Sequence, residues 1–203
     1  MDIKNRAAEI IGAVADKSSR YLVAVAGPPA SGKSTLAEKL VTKINALAGQ
    51  ELSVVVPMDG FHLDNTVLEQ QGMLHRKGAP ETFDGDGFVE LVKHLANTDK
   101  DVAIPGFDRS LDAVVAGAQR VKAEQRILVL EGNYLLLDHQ PWCSVHDLYD
   151  EMIFLSPGLK VLETRLIDRW LKHGLDESAA RLRAESNDLP NARYVLGHSV
   201  KIG

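Results

Sequence analysis

The sequence has one cysteine, no surplus of positive charge and no long apolar run, and each absence argues against a class of protein. Cys143 has no second cysteine to pair with, which predicts a chain without internal disulfides and a reducing, cytoplasmic location. The net charge of −5 argues against nucleic acid as the main partner, because binding a phosphate backbone needs a basic face. No stretch approaches the roughly 18 apolar residues of a membrane span. The N-terminus carries Asp2, Glu9 and Asp16, unlike the basic start of a signal peptide.

Composition gives no reason to divide the chain. Of its 203 residues, 45% are hydrophobic and 25% are charged, which are ordinary globular values, and no repeat or low-complexity linker is visible. We therefore predict one domain over residues 1–203. Residues 60–83 are polar, contain Gly72, Gly78 and Pro80, and offer little core, which predicts an excursion on the substrate side. Residues 160–186 are predicted to form a small lid.

The strongest local pattern is the segment YLVAVAGPPASGKSTLAEKLV at residues 21–41. An apolar run is followed by glycine, four residues, glycine, lysine and serine, and then by apolar residues at helical spacing, which is the phosphate-loop pattern between a strand and a helix. Backbone amides of such a loop surround a polyphosphate, and the start of the helix adds partial positive charge. The residues predicted to contact the nucleotide here are Gly27, Pro28, Ala30, Ser31, Gly32, Lys33, Ser34 and Thr35.

Apolar strand patterns alternate with helical patterns along the rest of the chain. Strands are expected near residues 21–26, 52–56, 101–105, 126–130 and 151–155, and residues 176–198 are expected to be helical with a break at Leu189-Pro190. This alternation predicts a three-layer α/β fold of the phosphate-loop NTPase type, with a parallel sheet and ligands at the carboxyl ends of its strands. Gly27, Asp59 and Glu131 each follow an apolar strand, so we expect them to meet at one edge of the sheet.

Two acidic residues at these strand ends are candidates for phosphoryl-transfer chemistry. A carboxylate beside a phosphate site can orient an acceptor hydroxyl and take its proton, which is the role predicted for Asp59; the alternative is an aspartate that caps the following turn. Glu131 is predicted to hold or position Mg²⁺ together with the Ser34 hydroxyl. The alternative for Glu131 is a glutamate satisfied by backbone amides.

Arg165 and Arg169 lie one helical turn apart, on one face of a predicted helix. They are either part of a solvated charged face, pairing with Glu163 and Asp168, or lid arginines that neutralise charge on the transferring phosphoryl group.

The Gly- and Pro-bearing loops hold candidates for acceptor binding. Arg76, Lys77 and Arg109 could orient an acceptor with hydroxyl or carboxylate groups, and nearby aromatic rings could form pocket walls. The two loop histidines do not form a metal site without carboxylate or thiol partners. The candidate substrate residues are Asp59, His62, Arg76, Lys77, Phe83, Arg109 and Tyr134.

The order of six segments resembles a known group of kinases. GPPASGKST, MDGFHLDN, RKGAPETFD, IPGFDRSLD, LEGNYLLLD and RLIDRWLKHG occur as they do in the uridine kinase, pantothenate kinase and phosphoribulokinase group, and the chain is most similar to bacterial nucleoside-kinase-like proteins often labelled fructose transport system kinases. The resemblance implies ATP and Mg²⁺ as cofactors. It also implies that Asp59 is the catalytic base, that Glu131 is the acidic residue after the third strand, and that Asn191 faces nucleotide or acceptor. Gly-Phe-His follows Asp59 where uridine kinases tend to carry serine or threonine and aromatic residues. The resemblance therefore does not assign a substrate to this chain.

These patterns lead to one function and one alternative. We expect ATP- and Mg²⁺-dependent transfer of the γ-phosphoryl group to a hydroxyl of a small metabolite, such as a sugar, a nucleoside or a pantothenate-like acceptor, with Lys33, Asp59, Arg165 and Arg169 as catalytic residues. The alternative is a nucleotide-hydrolysing regulatory switch or a partner-binding phosphate-loop protein. The string at residues 97–101 lacks the residue order of a guanine-specific switch. The exposed helix faces would permit a homodimer.

Overall fold

The computed structural model describes residues 2–202, and within this range it contains six strands and seven α-helices. The strands are β1 (Tyr21–Ala26), β2 (Ser53–Pro57), β3 (Val102–Asp108), β4 (Ala113–Val121), β5 (Ile127–Gly132) and β6 (Glu151–Phe154). The helices are α1 (Ile3–Ala15), α2 (Lys33–Ala48), α3 (Asn65–Gln70), α4 (Gly85–Ala96), α5 (Leu159–Lys172), α6 (Glu177–Arg183) and α7 (Leu189–His198). None of the helices within the described range is long and apolar enough to cross a membrane.

Four strands form a parallel sheet in the order β2-β5-β1-β6, as expected for an α/β fold. Alternate residues of β1 belong to different cores, because successive side chains of a strand point to opposite faces. Leu22 and Ala24 join the layer that contains α4, whereas Val23 and Val25 join the layer that contains α1 and α2. The sheet is therefore the middle of three layers, and its central strands are buried on both faces.

The strand expected at 101–105 does not belong to the parallel sheet. It lengthens into β3 and pairs with β4 as an antiparallel hairpin, with a register shift between Ile104 and Gly106. A β-carbon at Gly60 would collide with the carbonyl oxygen of Pro105, so the glycine lets the hairpin pack closely on the turn that follows β2. The tip of the hairpin, at Arg109, thereby lies near the carboxyl ends of the sheet strands.

The C-terminal helical region breaks one turn earlier than expected. Residues Ala184–Asp188, between α6 and α7, form a single turn of π-helix. Helix α7 then begins at Leu189, with Pro190 in its first turn, where a missing backbone N–H costs no hydrogen bond. The predicted excursion at residues 60–83 consists of α3 and short 3₁₀ turns.

Candidate active site

The phosphate-loop segment has the conformation of an anion cradle. Ala30 and Gly32 have positive φ angles of 62° and 98°, and the first residue of α2 is Lys33. The cap position of α2 is occupied by Gly32, which has no side chain to bond the first amides of the helix. The hydroxyl of Ser31 is buried and has no hydrogen-bond partner within the described residues. Unpaired donors at the start of a helix are what a phosphate group satisfies, so this loop fits a nucleotide.

Glu131 lies next to this loop because of strand register. It is the last residue but one of β5, where it pairs with Val25 of β1 on one side and with Pro57 of β2 on the other. The Ser34 hydroxyl donates to the Glu131 carboxylate at 3.1 Å. Oxygen ligands from a hydroxyl and a carboxylate fit Mg²⁺, which takes few protein ligands and completes its shell with phosphate and water.

Burial shifts the pKa values of two charged groups in opposite directions. It raises the pKa of Glu131, an effect that the neighbouring Lys33 ammonium partly opposes. Burial also lowers the pKa of Lys33, against the attraction of Glu131 and Asp59. Both shifts disfavour charge, so the two groups lie in a poorly solvated site where electrostatic interactions with a ligand are strong.

Asp59 follows β2 in a short 3₁₀ turn and points toward the same cleft. One of its carboxylate oxygens accepts a hydrogen bond from the Arg109 guanidinium at 3.2 Å, and its backbone carbonyl oxygen lies 2.8 Å from Nδ1 of His62. Because a carbonyl only accepts, Nδ1 carries the proton and Nε2 is left as an acceptor when His62 is neutral. Burial lowers the pKa of His62, which favours the neutral form.

Two aromatic rings hold His62 in place. Its ring centroid lies 4.0 Å from that of Phe83 and 4.6 Å from that of Phe107. Phe83 comes from the end of the 60–83 excursion and Phe107 from β3, so the hairpin and the excursion together form one wall of the cleft.

A single cleft of about 780 Å³ connects the phosphate loop with these residues. Its volume lies within the range of roughly 300 to 1,000 Å³ that is usual for small-molecule sites. The predicted residues that line the cleft are Ala30, Gly32, Lys33, Ser34, Thr35, Asp59, His62, Lys77, Phe83, Arg109, Glu131 and Arg169.

Outside the phosphate loop, three of the residues predicted to face acceptor or nucleotide do not line the cleft. Arg76 is paired with Glu81 and donates to Asn187, and it faces a different depression of the surface. Tyr134 is fully buried, donates its hydroxyl hydrogen to the Gly78 carbonyl, and has a pKa raised by burial. Asn191 is only 2% exposed and donates to Asn187. None of the three therefore faces the cleft that contains the phosphate loop, and each makes hydrogen bonds within the protein.

The charged groups of two further predicted residues are hydrogen-bonded to other parts of the protein. The ammonium of Lys77 contacts Asn65 Oδ1 at 2.6 Å and Asp112 at two oxygens, 2.8 and 2.9 Å away, so its three donors are used although it lines the cleft. Arg165 donates to the backbone carbonyls of Ala30 and Ser31 at 3.1 and 3.3 Å and braces the phosphate loop. Its neighbour Arg169 is the predicted lid arginine that does line the cleft.

Residues 22–174 match the family described as phosphoribulokinase / uridine kinase. The chain belongs to this family. A protein of Schizosaccharomyces pombe named "putative uridine kinase" is 35% identical over 96% of this chain and 84% of its own length.

Solved structures of kinases in the same fold are also similar. The crystal structure of a protein from Silicibacter sp. TM1040, named "putative fructose transport system kinase", has a TM-score of 0.92 and 43% identity, covering 99% of this chain and 97% of that one. YFH7 of Saccharomyces cerevisiae, described as a putative phosphate-loop kinase with a circular permutation, has a TM-score of 0.86 at 21% identity and covers 100% of this chain and 97% of its own. The latter likeness shows the fold alone.

This phosphoribulokinase/uridine kinase family member has a cluster in its cleft that the sequence patterns did not indicate. The guanidinium groups of Arg169 and Arg183 lie 5.5 and 5.3 Å from the ring centroid of Trp170, and the Trp170 indole N–H donates to Asp188 at 2.5 Å. Helical spacing places Trp170 on the apolar side of α5, where the sequence does not reveal its polar edge. No local pattern links Arg183, at the end of α6, or Asp188, at the end of the π-helical turn, to the site.

Proposed function

We propose that the chain transfers the γ-phosphoryl group of ATP to a hydroxyl group of a small metabolite. The observation that carries the proposal is the shared cleft, in which an uncapped helix start with Lys33 and the carboxylate of Asp59 are both exposed to one ligand space. Phosphoryl transfer requires a phosphate site and a hydroxyl-orienting group side by side, since it depends mostly on positioning and charge stabilisation.

On the phosphate side, the loop amides and Lys33 bind the β- and γ-phosphates, and Arg169 stabilises charge on the transferring group. Ser34 and Glu131 would hold Mg²⁺, which supplies charge neutralisation at the phosphates when bound. Arg165 acts through the loop, because its two contacts are to the carbonyls of Ala30 and Ser31.

On the acceptor side, Asp59 orients the attacking hydroxyl and takes its proton as the new oxygen–phosphorus bond forms. The Arg109 guanidinium pairs with the Asp59 carboxylate at 3.2 Å, and the Arg109 side chain is 66% exposed, so an entering acceptor can displace it at low cost. His62 offers Nε2 as a hydrogen-bond acceptor, while Phe83 and Phe107 pack against apolar parts of the molecule.

The acceptor is a sugar, a nucleoside or a pantothenate-like compound, and the reaction takes place in the cytoplasm, where ATP is plentiful and a lone cysteine stays reduced. Residues 160–186 act as the lid, and they exclude water because water would otherwise compete with the hydroxyl. If the chain is instead a hydrolytic regulatory switch, ADP release will not depend on any added alcohol.

Asp59→Asn tests the proposal. The variant is expected to keep its thermal stabilisation by MgATP, because Asp59 does not belong to the phosphate loop, and to lose phosphoryl transfer by about 10² to 10⁴-fold. Transfer is measured by coupled ADP release over hexoses, nucleosides, pantothenate-like acids and pentose phosphates. Asp64→Asn is the matched control, since Asp64 is exposed nearby and its side chain makes no helix-cap bond. Full transfer by Asp59→Asn would rule out the assigned base.

A further inference from the structure

The π-helical turn at Ala184–Asp188 carries polar side chains that differ in burial and in hydrogen-bond partners. Glu185 and Ser186 are exposed, whereas Asn187 and Asp188 are 2% and 9% exposed. A π-turn adds a residue to the helical repeat and so changes the direction of the side chains that follow, and such turns are frequent at functional sites. The two buried polar side chains have different partners, one set in residues 76–77 and the other in α5.

Asn187 is bonded to the acceptor side. Its amide nitrogen donates to the carbonyl of Lys77 at 3.0 Å, and its amide oxygen accepts from Arg76 at 3.2 Å. Arg183 adds a third hydrogen bond to the same segment by donating to the carbonyl of His75 at 3.2 Å. We call residues 74–78 the acceptor segment, because Leu74, Lys77 and Gly78 line the cleft near His62 and Phe83.

Asp188 is bonded to the phosphate side. Its carboxylate accepts the indole N–H of Trp170, the residue that follows Arg169 on α5, and the Arg169 guanidinium lies over the same indole ring. A buried carboxylate needs compensating donors or charges, and this one has the indole N–H together with two nearby guanidinium groups. The position of Trp170, and through it that of Arg169, therefore depends on Asp188.

We propose that Asn187 and Asp188 are positioning residues that couple the acceptor segment to Arg169, so that ordering of the acceptor site and placement of this arginine at the phosphates occur together. The proposal rests on the proposed function, because it takes the cleft to hold a nucleotide and an acceptor. Its consequence is that a bound nucleotide orders the acceptor segment before any acceptor arrives.

Hydrogen exchange of the full chain, with and without the non-hydrolysable nucleotide MgAMP-PNP, tests this coupling without an identified acceptor. The backbone amides of Arg76, Lys77, Gly78, Ala79 and Thr82 donate local turn hydrogen bonds and can report on ordering. In the unaltered protein, MgAMP-PNP is expected to slow exchange both at the phosphate loop, residues 27–35, and at residues 74–83, by about fivefold or more.

Asn187→Ala removes the link while leaving the phosphate loop intact. We expect this variant to keep the slowed exchange at residues 27–35 and to lose most of it at residues 74–83. Glu185→Ala is the matched control, since Glu185 is exposed in the same turn, and it is expected to keep both effects. Trp170→Phe breaks the coupling at the Asp188 end, because it keeps a ring for Arg169 but lacks the N–H bonded to Asp188. This variant is expected to lose the slowed exchange at residues 74–83.

The outcomes distinguish the inference from the proposed function. If MgAMP-PNP leaves residues 27–35 of the unaltered protein unprotected, the nucleotide site fails and the coupling fails with it. If residues 27–35 respond but residues 74–83 do not, the coupling is wrong and the nucleotide site stands. Retention of both responses in Asn187→Ala and Trp170→Phe would equally overturn the coupling, and Trp170→Phe decides the matter if Asn187→Ala does not fold.

Discussion

Tyr134 has a role predicted from its place in the sequence that differs from the role its burial indicates. Its position beside the loop residues predicts a pocket wall, but the structure buries the side chain completely and its hydroxyl donates to the Gly78 carbonyl. Tyr134→Phe removes one hydrogen bond and no carbon atoms. We expect it to lower the free energy of unfolding by about 1 to 2 kcal/mol, because the carbonyl loses its donor and the packing is unchanged. In a chain of this size that corresponds to a fall in Tm of roughly 2 to 8 °C.

Tyr149 provides a control for which the same substitution is not expected to lower stability. Its hydroxyl is also buried, but it has no hydrogen-bond partner in the described part of the chain. Burying a hydroxyl without a partner is unfavourable, so Tyr149→Phe is expected to leave stability unchanged or to raise it slightly. The two variants make the same chemical change at two buried rings, and only the partner differs.

Urea unfolding followed by circular dichroism measures both variants, and the denaturant slope m checks that neither changes the extent of unfolding. Acceptor KM is measured in parallel once an acceptor is found. The structural role predicts a lower unfolding midpoint and an unchanged KM for Tyr134→Phe. An unchanged midpoint with a raised KM would show instead that the hydroxyl faces the substrate, and it would refute our interpretation of its burial.

Two further predictions concern pH and the lid arginines. Burial lowers the pKa of His62, so the folded protein binds its proton less readily than the unfolded chain, and the unfolding free energy should fall as pH drops below about 6.5. His62→Asn should lessen this fall, and equal slopes of stability against pH in the two proteins would contradict the shift. Arg169→Ala is expected to lower kcat by about 10² or more with a small change in KM for ATP. Arg165→Ala should mainly raise that KM, because Arg165 contacts only the loop carbonyls; the reverse pattern in steady-state kinetics would exchange their roles.

Strand patterns predicted the centre of the site because strand register is a strong constraint. Val25 and Pro57 both pair with Glu131, so residues just beyond three separate strands must converge once the sheet forms. The apolar runs that specify these strands also fix where their polar ends lie. Lys33, Asp59 and Glu131 could therefore be brought together from the sequence without knowledge of any loop.

Features that depend on loop placement could not be predicted in the same way. Most residues of β4 are exposed, so it lacks the apolar pattern of a buried strand, and its pairing with β3 was missed. Arg76 and Asn191 carry polar groups of the expected kind, but Arg76 donates to Glu81 and Asn187, and Asn191 donates to Asn187. Chemical type alone does not say whether a polar group faces a ligand or another part of the protein.

The residues of the candidate site differ in how firmly the fold holds them. Asp59 and Glu131 lie at the ends of adjacent strands of one sheet, which keeps the distance between the proposed base and the proposed metal ligand nearly fixed. Arg169 is held only through Trp170 and a partly exposed helix, and Arg109 lies on the tip of a two-stranded hairpin. Rigid strand ends suit groups that must be aligned before reaction, whereas groups on separate, less buried elements can move as ligands enter and leave. The proposed coupling through Asn187 and Asp188 would make the motion of one of these elements depend on the state of the other side of the cleft.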